Sequence, residues 1–251
     1  VRALAGRSAR KRSGTYLVEG PQAVREAVRF AAADVRDVYV TDDARVAHPE
    51  IVDEALEAGL FVHPVTDEVA HAMSGDAQGV IAVLTARATG EIDSIPSDAT
   101  LVAVLSAIRD PGNLGAAIRV ADAVGADAVV LAGECVDPAS PKVIRASVGS
   151  VFHLPVLRAP ELRESAAALK ERGLALVAAD VSGADELGRA TEPALREPHA
   201  WVFGNEAWGL TDDELAVVEH VVRIPIPGQA ESLNLATAAA VCMYASLFAR
   251  S

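Results

Sequence analysis

Five short apolar runs set the limits on what the second half of this chain can become: residues 101–105, 128–131, 174–178, 201–203 and 221–224. A strand that is apolar on both faces must be covered on both, and helices between successive strands supply that cover. The pattern predicts a mostly parallel sheet with helices near 113–124, 160–171 and 211–219. Half of the 251 residues are hydrophobic but only 4% are aromatic, so the core must be built of Ala, Val and Leu.

Residues 15–84 alternate in the same way on a smaller scale. Tyr16-Leu17-Val18, Val38-Tyr39-Val40, Leu60-Phe61-Val62 and 79–84 read as strands. Pro21 opens a helix carrying Ala23, Val24, Ala27, Val28 and Ala31, and Ile51, Ala55 and Leu56 mark another that Gly59 ends. The polar stretch after residue 84 contains Gly90 and Pro96 and has no sustained period. The expected organisation is a small α/β domain over 1–86, a linker over 87–99 and a larger α/β domain over 100–251.

The formal net charge of −13 speaks against a nucleic-acid partner until its distribution is considered. Residues 1–30 hold seven basic side chains (Arg2, Arg7, Arg10, Lys11, Arg12, Arg25, Arg29) against Glu19 and Glu26, a local +5 that leaves −18 for the rest. A basic stretch on an acidic body suits a localised phosphate contact, and equally a solvated tail. Cys135 and Cys242 are far apart, and none of the six histidines falls into a metal-ligand spacing, so no metal is expected. The basic start lacks the apolar core of a signal peptide, and no apolar run approaches the roughly 18 residues of a membrane span. The expectation is a cytoplasmic protein that works off the membrane.

Three segments carry candidate chemistry. In 105–119 a buried strand ends, Asp110-Pro111-Gly112 turns the chain, and Asn113 stands where a helix cap belongs. Leu114, Ala117, Ile118, Ala121 and Val124 form the apolar face of the next helix, and Arg119 lies away from it. Asn113 and Arg119 thus sit near the C-terminal edge of a parallel strand, where open α/β sheets bind ligands. In 201–210 an apolar strand runs into Gly204 and Gly209 bracketing Asn205 and Glu206, and Thr211 can cap a helix beginning after it. In 224–235 two prolines and Gly228 stiffen a loop before an Ala-rich helix, with Ser232 as its cap and Asn234 in its first turn. That helix is apolar on nearly every side, which predicts burial or a subunit interface. Each segment alone also fits an ordinary turn, cap and surface charge. The fingerprints of a dinucleotide site and of a P-loop are both absent.

Together the three resemble the motifs of the SpoU (TrmH-type) RNA 2′-O-ribose methyltransferases of the SPOUT superfamily. The matching residues are Asp110-Pro111-Gly112-Asn113-Leu114-Gly115 with Arg119, Phe203-Gly204-Asn205-Glu206 with Gly209-Leu210, and Ile224-Pro225-Ile226-Pro227-Gly228 with Ser232-Leu233-Asn234. Arg109 departs from the glutamine that many relatives carry beside the first motif. Val18-Glu19-Gly20 after a basic run is similar to the family's N-terminal substrate-binding domain, itself similar to ribosomal L30e and L7Ae proteins.

The resemblance implies a parallel-sheet SPOUT domain with a deep trefoil knot, an exception to the rule that chains do not thread loops. It implies S-adenosylmethionine as methyl donor, held by Gly204, Ile224 and Leu233, and a ribose 2′-hydroxyl of structured RNA as acceptor. Ribosomal RNA, 23S above all, is expected ahead of transfer RNA; a non-catalytic RNA-binding protein is the competing reading. Arg119 matches the arginine proposed to activate the hydroxyl. Since arginine holds its proton, Arg119 either acts as an unusual base or, as a cation, stabilises the developing alkoxide and holds the adjacent phosphate. Asn113 and Asn234 are expected to position it and the ribose, Glu206 to orient the loops, and Ser232 to hydrogen-bond within the site. Arg7, Arg10, Lys11 and Arg12 are the expected RNA contacts. A homodimer formed through the 233–248 helix is also implied.

Overall fold

Each apolar run of the second half becomes a strand in the computed structural model, which describes residues 1–86, 90–188 and 191–251. The chain forms two compact units, Val1–Ala88 with Asp137–His153, and Thr89–Val136 with Leu154–Ser251.

The first unit is built on β1 (Thr15–Glu19), β2 (Val35–Val40), β3 (Phe61–Pro64) and β4 (Val80–Thr85), in the order β1-β4-β2-β3. β4 pairs antiparallel with both β1 and β2, and β2 pairs parallel with β3. Its helices are α1 (Arg7–Ser13), α2 (Pro21–Ala31), α3 (Asp42–Ala47), α4 (Pro49–Glu57) and α5 (Asp67–Met73). α2 buries Ala23, Val24, Ala27 and Val28, the three- and four-residue spacing of one helical face. Thr41 and Thr66 cap α3 and α5 by accepting backbone N–H bonds.

Residues 137–153 were expected in the C-terminal domain, yet they pack inside this first unit. They carry α7 (Pro141–Ser147), whose Ile144 is 1% exposed in the same core as Val24, Val28 and Ala82. Burying that side chain is worth about 1.5–3 kcal/mol. Polar contacts reinforce it: Arg145 pairs with Glu19 and, at 2.8 Å, with Asp76.

The second unit holds β5 (Gly90–Glu91), β6 (Leu101–Ser106), β7 (Ala128–Ala132), β8 (Val156–Ala159), β9 (Ala175–Ala179), β10 (Asp185–Glu186), β11 (His199–Phe203) and β12 (His220–Arg223). Their order is β10-β12-β9-β11-β6-β7-β8-β5, and every pairing is parallel. The helices are α6 (Pro111–Ala123), α8 (Leu162–Glu171), α9 (Glu192–Arg196), α10 (Asp212–Leu215) and α11 (Leu235–Arg250). Both sheet faces are covered. Val102, Val104, Val130, Leu176 and Val202 join Leu162, Ala166 and Leu169 of α8 in one core. Their neighbours Ala103, Leu105, Trp201 and Phe203 point the other way and are equally buried, Trp201 meeting Ser246 of α11.

The expected linker needs correction where it is described. Residues 87–89 lie outside the described residues, but 90–99 belong to the second unit. β5 pairs with β8, Ile95 and Ala99 are buried, and Ile92 packs on the core. Regularly placed apolar side chains, rather than the polar residues between them, decide this segment.

Candidate active site

Three strand ends build the site. After β6 the chain turns through Ala107, held at φ 53°, a left-handed conformation that costs a non-glycine residue about 1–2 kcal/mol. The Asn205 side chain, from the turn after β11, donates to the Ala107 carbonyl at 2.7 Å. Asn205 is itself buried, and its backbone exchanges hydrogen bonds of 3.0 and 2.9 Å with Gly209. Its Oδ1 accepts from Ala207 N at 2.8 Å. This five-residue turn is fixed at every polar position that closes it. Gly204 is required because a Cβ would overlap the Gly209 carbonyl group and lie 2.6 Å from Leu210 N.

α6 starts differently from the sequence expectation. Asp110, not Asn113, is the cap, its Oδ1 accepting from Asn113 N at 2.7 Å, with Pro111 in the first turn. Asn113 occupies the third helical position, and its side chain is released for other contacts. A similar shift occurs at α11, where Asn234 is the cap and Ser232 is not. Asn234 Oδ1 accepts from Ala236 N at 2.9 Å and Thr237 N at 3.4 Å. In both cases a side-chain oxygen of the right reach, a carboxylate in Asp110 and an amide in Asn234, takes the place of the residue that was expected to cap.

These corrections bring the three motifs together. Asn113 Nδ2 donates to Glu206 Oε1 at 3.1 Å, while Asn113 Oδ1 accepts from Asn234 Nδ2 at 2.8 Å. Glu206 also accepts from the backbone N–H of Arg109 at 3.4 Å and of Asp110 at 3.3 Å. Glu206 therefore clamps the turn into α6, and the two asparagines connect it to the start of α11. The capping box of α10, Thr211 with Glu214, is tied to the C-terminal end of β6, because Ser106 there donates to Glu214.

The remaining site residues are not in this network. Arg119 lies one and a half turns beyond Asn113 on α6, exposed, with no ion pair or hydrogen bond among the described residues. Ser232 is exposed and likewise unbonded, and Ile224, Leu233 and Gly204 are half-buried. Sequence reasoning gives Asp110 a place in the turn but not the cap, and gives no role to the Asn205 side chain; an Asp-Pro pair directly before a helix is the available signal for the cap.

The basic residues of the first unit divide. Arg7, Lys11 and Arg12 are exposed on α1. Arg10 is not: its side chain is 7% exposed, pairs with Asp137 at 2.8 Å, and donates to the carbonyls of Leu4 and Ala5 at 3.1 and 2.9 Å. The expectation that Arg10 contacts RNA is corrected, since its guanidinium already serves to hold the N-terminal turn to the 137–153 segment.

Among the described residues no group of three or more His, Cys, Asp or Glu side chains is arranged to hold a metal ion. No described helix is long and apolar enough to cross a membrane. A groove of about 520 Å³ lies against the C-terminal half of α11, beyond its Asn234 cap, lined by Leu187, Leu195, Val241, Tyr244 and Phe248 among others. It has none of the network's polar groups.

Comparison with known proteins gives two family matches, the SpoU rRNA Methylase family over residues 100–244 and the MRM3-like substrate binding domain over residues 1–82. The chain is 31% identical to the 23S rRNA (guanosine-2′-O-)-methyltransferase RlmB of Bordetella pertussis over 94% of its own length and 98% of that protein. It is also 31% identical to the 23S rRNA (guanosine(2553)-2′-O)-methyltransferase RlmP of Bacillus subtilis, over 94% of this chain and 89% of that one. The crystal structure of the SpoU methyltransferase AviRb from Streptomyces viridochromogenes in complex with AdoMet superposes with a TM-score of 0.85 at 28% identity, covering 99% of this chain and 96% of AviRb.

Proposed function

Because the chain belongs to the SpoU rRNA Methylase family, we propose that it transfers a methyl group from S-adenosylmethionine to a ribose 2′-hydroxyl of 23S ribosomal RNA. The observation that carries the reading is the hydrogen-bonded chain Glu206–Asn113–Asn234, which joins one residue from each of the three motifs beyond the C-terminal ends of β6 and β11. The full-length likeness to RlmB and RlmP supports ribosomal RNA as the substrate, and with it a cytoplasmic place of work.

The residues fit the donor. Ile224 and Leu233 offer half-buried apolar surface for an adenine, and Gly204 lets the Gly209–Leu210 backbone pack against the end of β11, which sets the shape of the turn beside it. The donor's sulfonium supplies an electrophilic methyl group. Arg119 then has the chemistry left to do at the acceptor. Its fork suits an alkoxide and a neighbouring phosphate together, and a charged guanidinium favours electrostatic stabilisation over proton abstraction. Asn113 and Asn234 hold the α6 and α11 ends in the geometry this requires, Glu206 fixes the loops, and Ser232 hydrogen-bonds within the site. Arg7, Lys11 and Arg12 contact RNA phosphates.

A homodimer is part of this reading. Val241, Tyr244 and Phe248 of α11 are 39%, 36% and 70% exposed, a cluster that favours cover by a second copy.

Incubation of unmodified 23S rRNA transcript with tritiated S-adenosylmethionine, followed by mapping of ribose methylation, tests the proposal. One stoichiometric 2′-O-methyl site is expected. Methylation of a base, or donor binding without transfer, refutes it, and the second outcome favours the non-catalytic RNA-binding alternative. Light scattering checks the dimer.

A further inference from the structure

The chain has two tryptophans, and they are placed in opposite ways. Trp201, on β11, is fully buried and donates from Nε1 to Ser246 Oγ at 2.8 Å. Trp208, seven residues later, is 57% exposed and makes no hydrogen bond or ring contact among the described residues. A single exposed apolar side chain is commonplace in proteins. Here its mounting is the unusual part.

Trp208 sits in the Asn205–Gly209 turn, immediately before the glycine whose backbone closes it. That turn is held by the paired Asn205–Gly209 backbone bonds, by Asn205 Oδ1 on Ala207 N, and by the Asn205 amide on the Ala107 carbonyl. Two residues before Trp208, Glu206 is bound to the turn into α6 and to Asn113. The indole is thus carried on rigid backbone beside the polar network, and little ordering entropy remains to be lost when something covers it. Its surroundings also select the kind of partner. Glu206 lies within the turn and Asp212 and Asp213 follow it in sequence, so the spot disfavours phosphate, yet an aromatic face accepts any nucleobase.

From this mounting we infer that Trp208 is a substrate-binding residue: its indole stacks on a base of the RNA next to the nucleotide being methylated. The inference deepens the function proposed above and rests on it. Stacking is tolerant of base identity, so Trp208 contributes affinity and placement, while the choice of nucleotide lies with other groups.

The buried Trp201 makes the test direct, because only Trp208 answers to solvent. In the full-length protein, emission from an acrylamide-accessible indole is expected. Unmodified 23S rRNA transcript fragments that carry the methylated site should shield it, and Trp208→Phe should abolish the accessible component. Trp208→Ala should raise the KM for RNA about 5- to 100-fold, leave S-adenosylmethionine binding by calorimetry unchanged, and lower kcat far less. Trp208→Phe should recover most of that KM. Unaltered donor binding verifies that each variant is folded.

The inference is overturned if RNA leaves the indole accessible, or if Trp208→Ala leaves the KM within twofold of wild type. It is also overturned if the indole is shielded without RNA in a manner that depends on protein concentration, which would assign it to a second copy of the chain. Failure of the broader reading looks different: no ribose methylation by the unaltered protein, whatever the fluorescence does.

Discussion

The side-chain amide of Asn234 donates to Asn113 Oδ1 at 2.8 Å, across a sequence separation of 121 residues. Since Asn113 Nδ2 donates to Glu206, the Asn113 amide has a fixed orientation, donor toward the carboxylate and acceptor toward the second asparagine. Only a side chain that both donates and accepts can occupy this point.

Substitution there should therefore follow charge more than size. Asn113→Asp keeps the acceptor for Asn234 but sets a carboxylate against Glu206, and turnover should fall further than in Asn113→Ala. Adding Glu206→Gln to Asn113→Asp restores a donor–acceptor pair. We expect a favourable coupling of about 1–3 kcal/mol in a double-mutant cycle on kcat/KM. Additive effects would mean that the contact has no part in turnover.

The core strands were legible because parallel strands covered on both faces leave apolar runs, and 101–105, 128–131 and 201–203 all became strands. β8 was missed because Arg158 interrupts its four residues, and β5 and β10 are two residues each, too short for any period. The motif residues were visible, but which of them capped a helix was not. Asp110 and Asn113 are both good caps, and the choice depends on a 2.7 Å contact that only the folded turn creates. Arg10 was misread for a related reason. A charged residue in a basic run looks solvated, and nothing local reveals that Asp137, 127 residues away, will neutralise it. The packing of 137–153 within the first unit, and the threading implied by the family resemblance, are long-range properties with no local periodicity.

That misreading yields a second prediction. Arg10→Ala should act on stability and leave the electrostatics of RNA binding alone. Removing a buried guanidinium takes away an ion pair with Asp137 and the donor to two carbonyls, a loss on the order of 3 kcal/mol. Under conditions where the variant is folded, its log–log salt slope for RNA binding should match wild type. Alanine at Arg7, Lys11 and Arg12 should do the reverse, with unfolding unchanged and each lost phosphate contact reducing the slope by up to about 0.9. A reduced slope for Arg10→Ala alone would return that residue to the RNA surface.

A third prediction concerns acid stability. His199 is fully buried, bonded to Ser246 Oγ and the Glu197 carbonyl at 2.8 Å each. Burial lowers its pKa from 6.5 to about 4, outweighing the opposing effect of the Glu197 carbonyl. Between these two values the unfolded chain holds more protons than the folded one. Stability from the neutral ring is complete above pH 6.5 and is lost as pH falls toward 4. The loss amounts to about 3 kcal/mol. Urea unfolding across that range should show wild type falling more steeply than His199→Gln, which has no proton to take up. Parallel curves would contradict the depressed value.

The last prediction separates chemistry from binding at Arg119. This side chain projects from α6, with no partner among the described residues, so its removal breaks no contact described within the protein. Arg119→Ala should fold normally, bind S-adenosylmethionine as wild type does, and keep most of its RNA affinity. Loss of a charge stabiliser at the reacting oxygen costs about 10²- to 10³-fold in turnover. Arg119→Lys is the sharper comparison. Lysine keeps the charge but presents a point ammonium in place of a planar fork, and it cannot bridge hydroxyl and phosphate together. We expect it to remain near the alanine level. Single-turnover methylation under saturating donor is the deciding measurement, because product release does not enter it. A lysine variant close to wild type would reduce the requirement to charge alone. An alanine variant with near-normal single-turnover rates would remove Arg119 from the chemistry and leave the acceptor hydroxyl to be activated by another group.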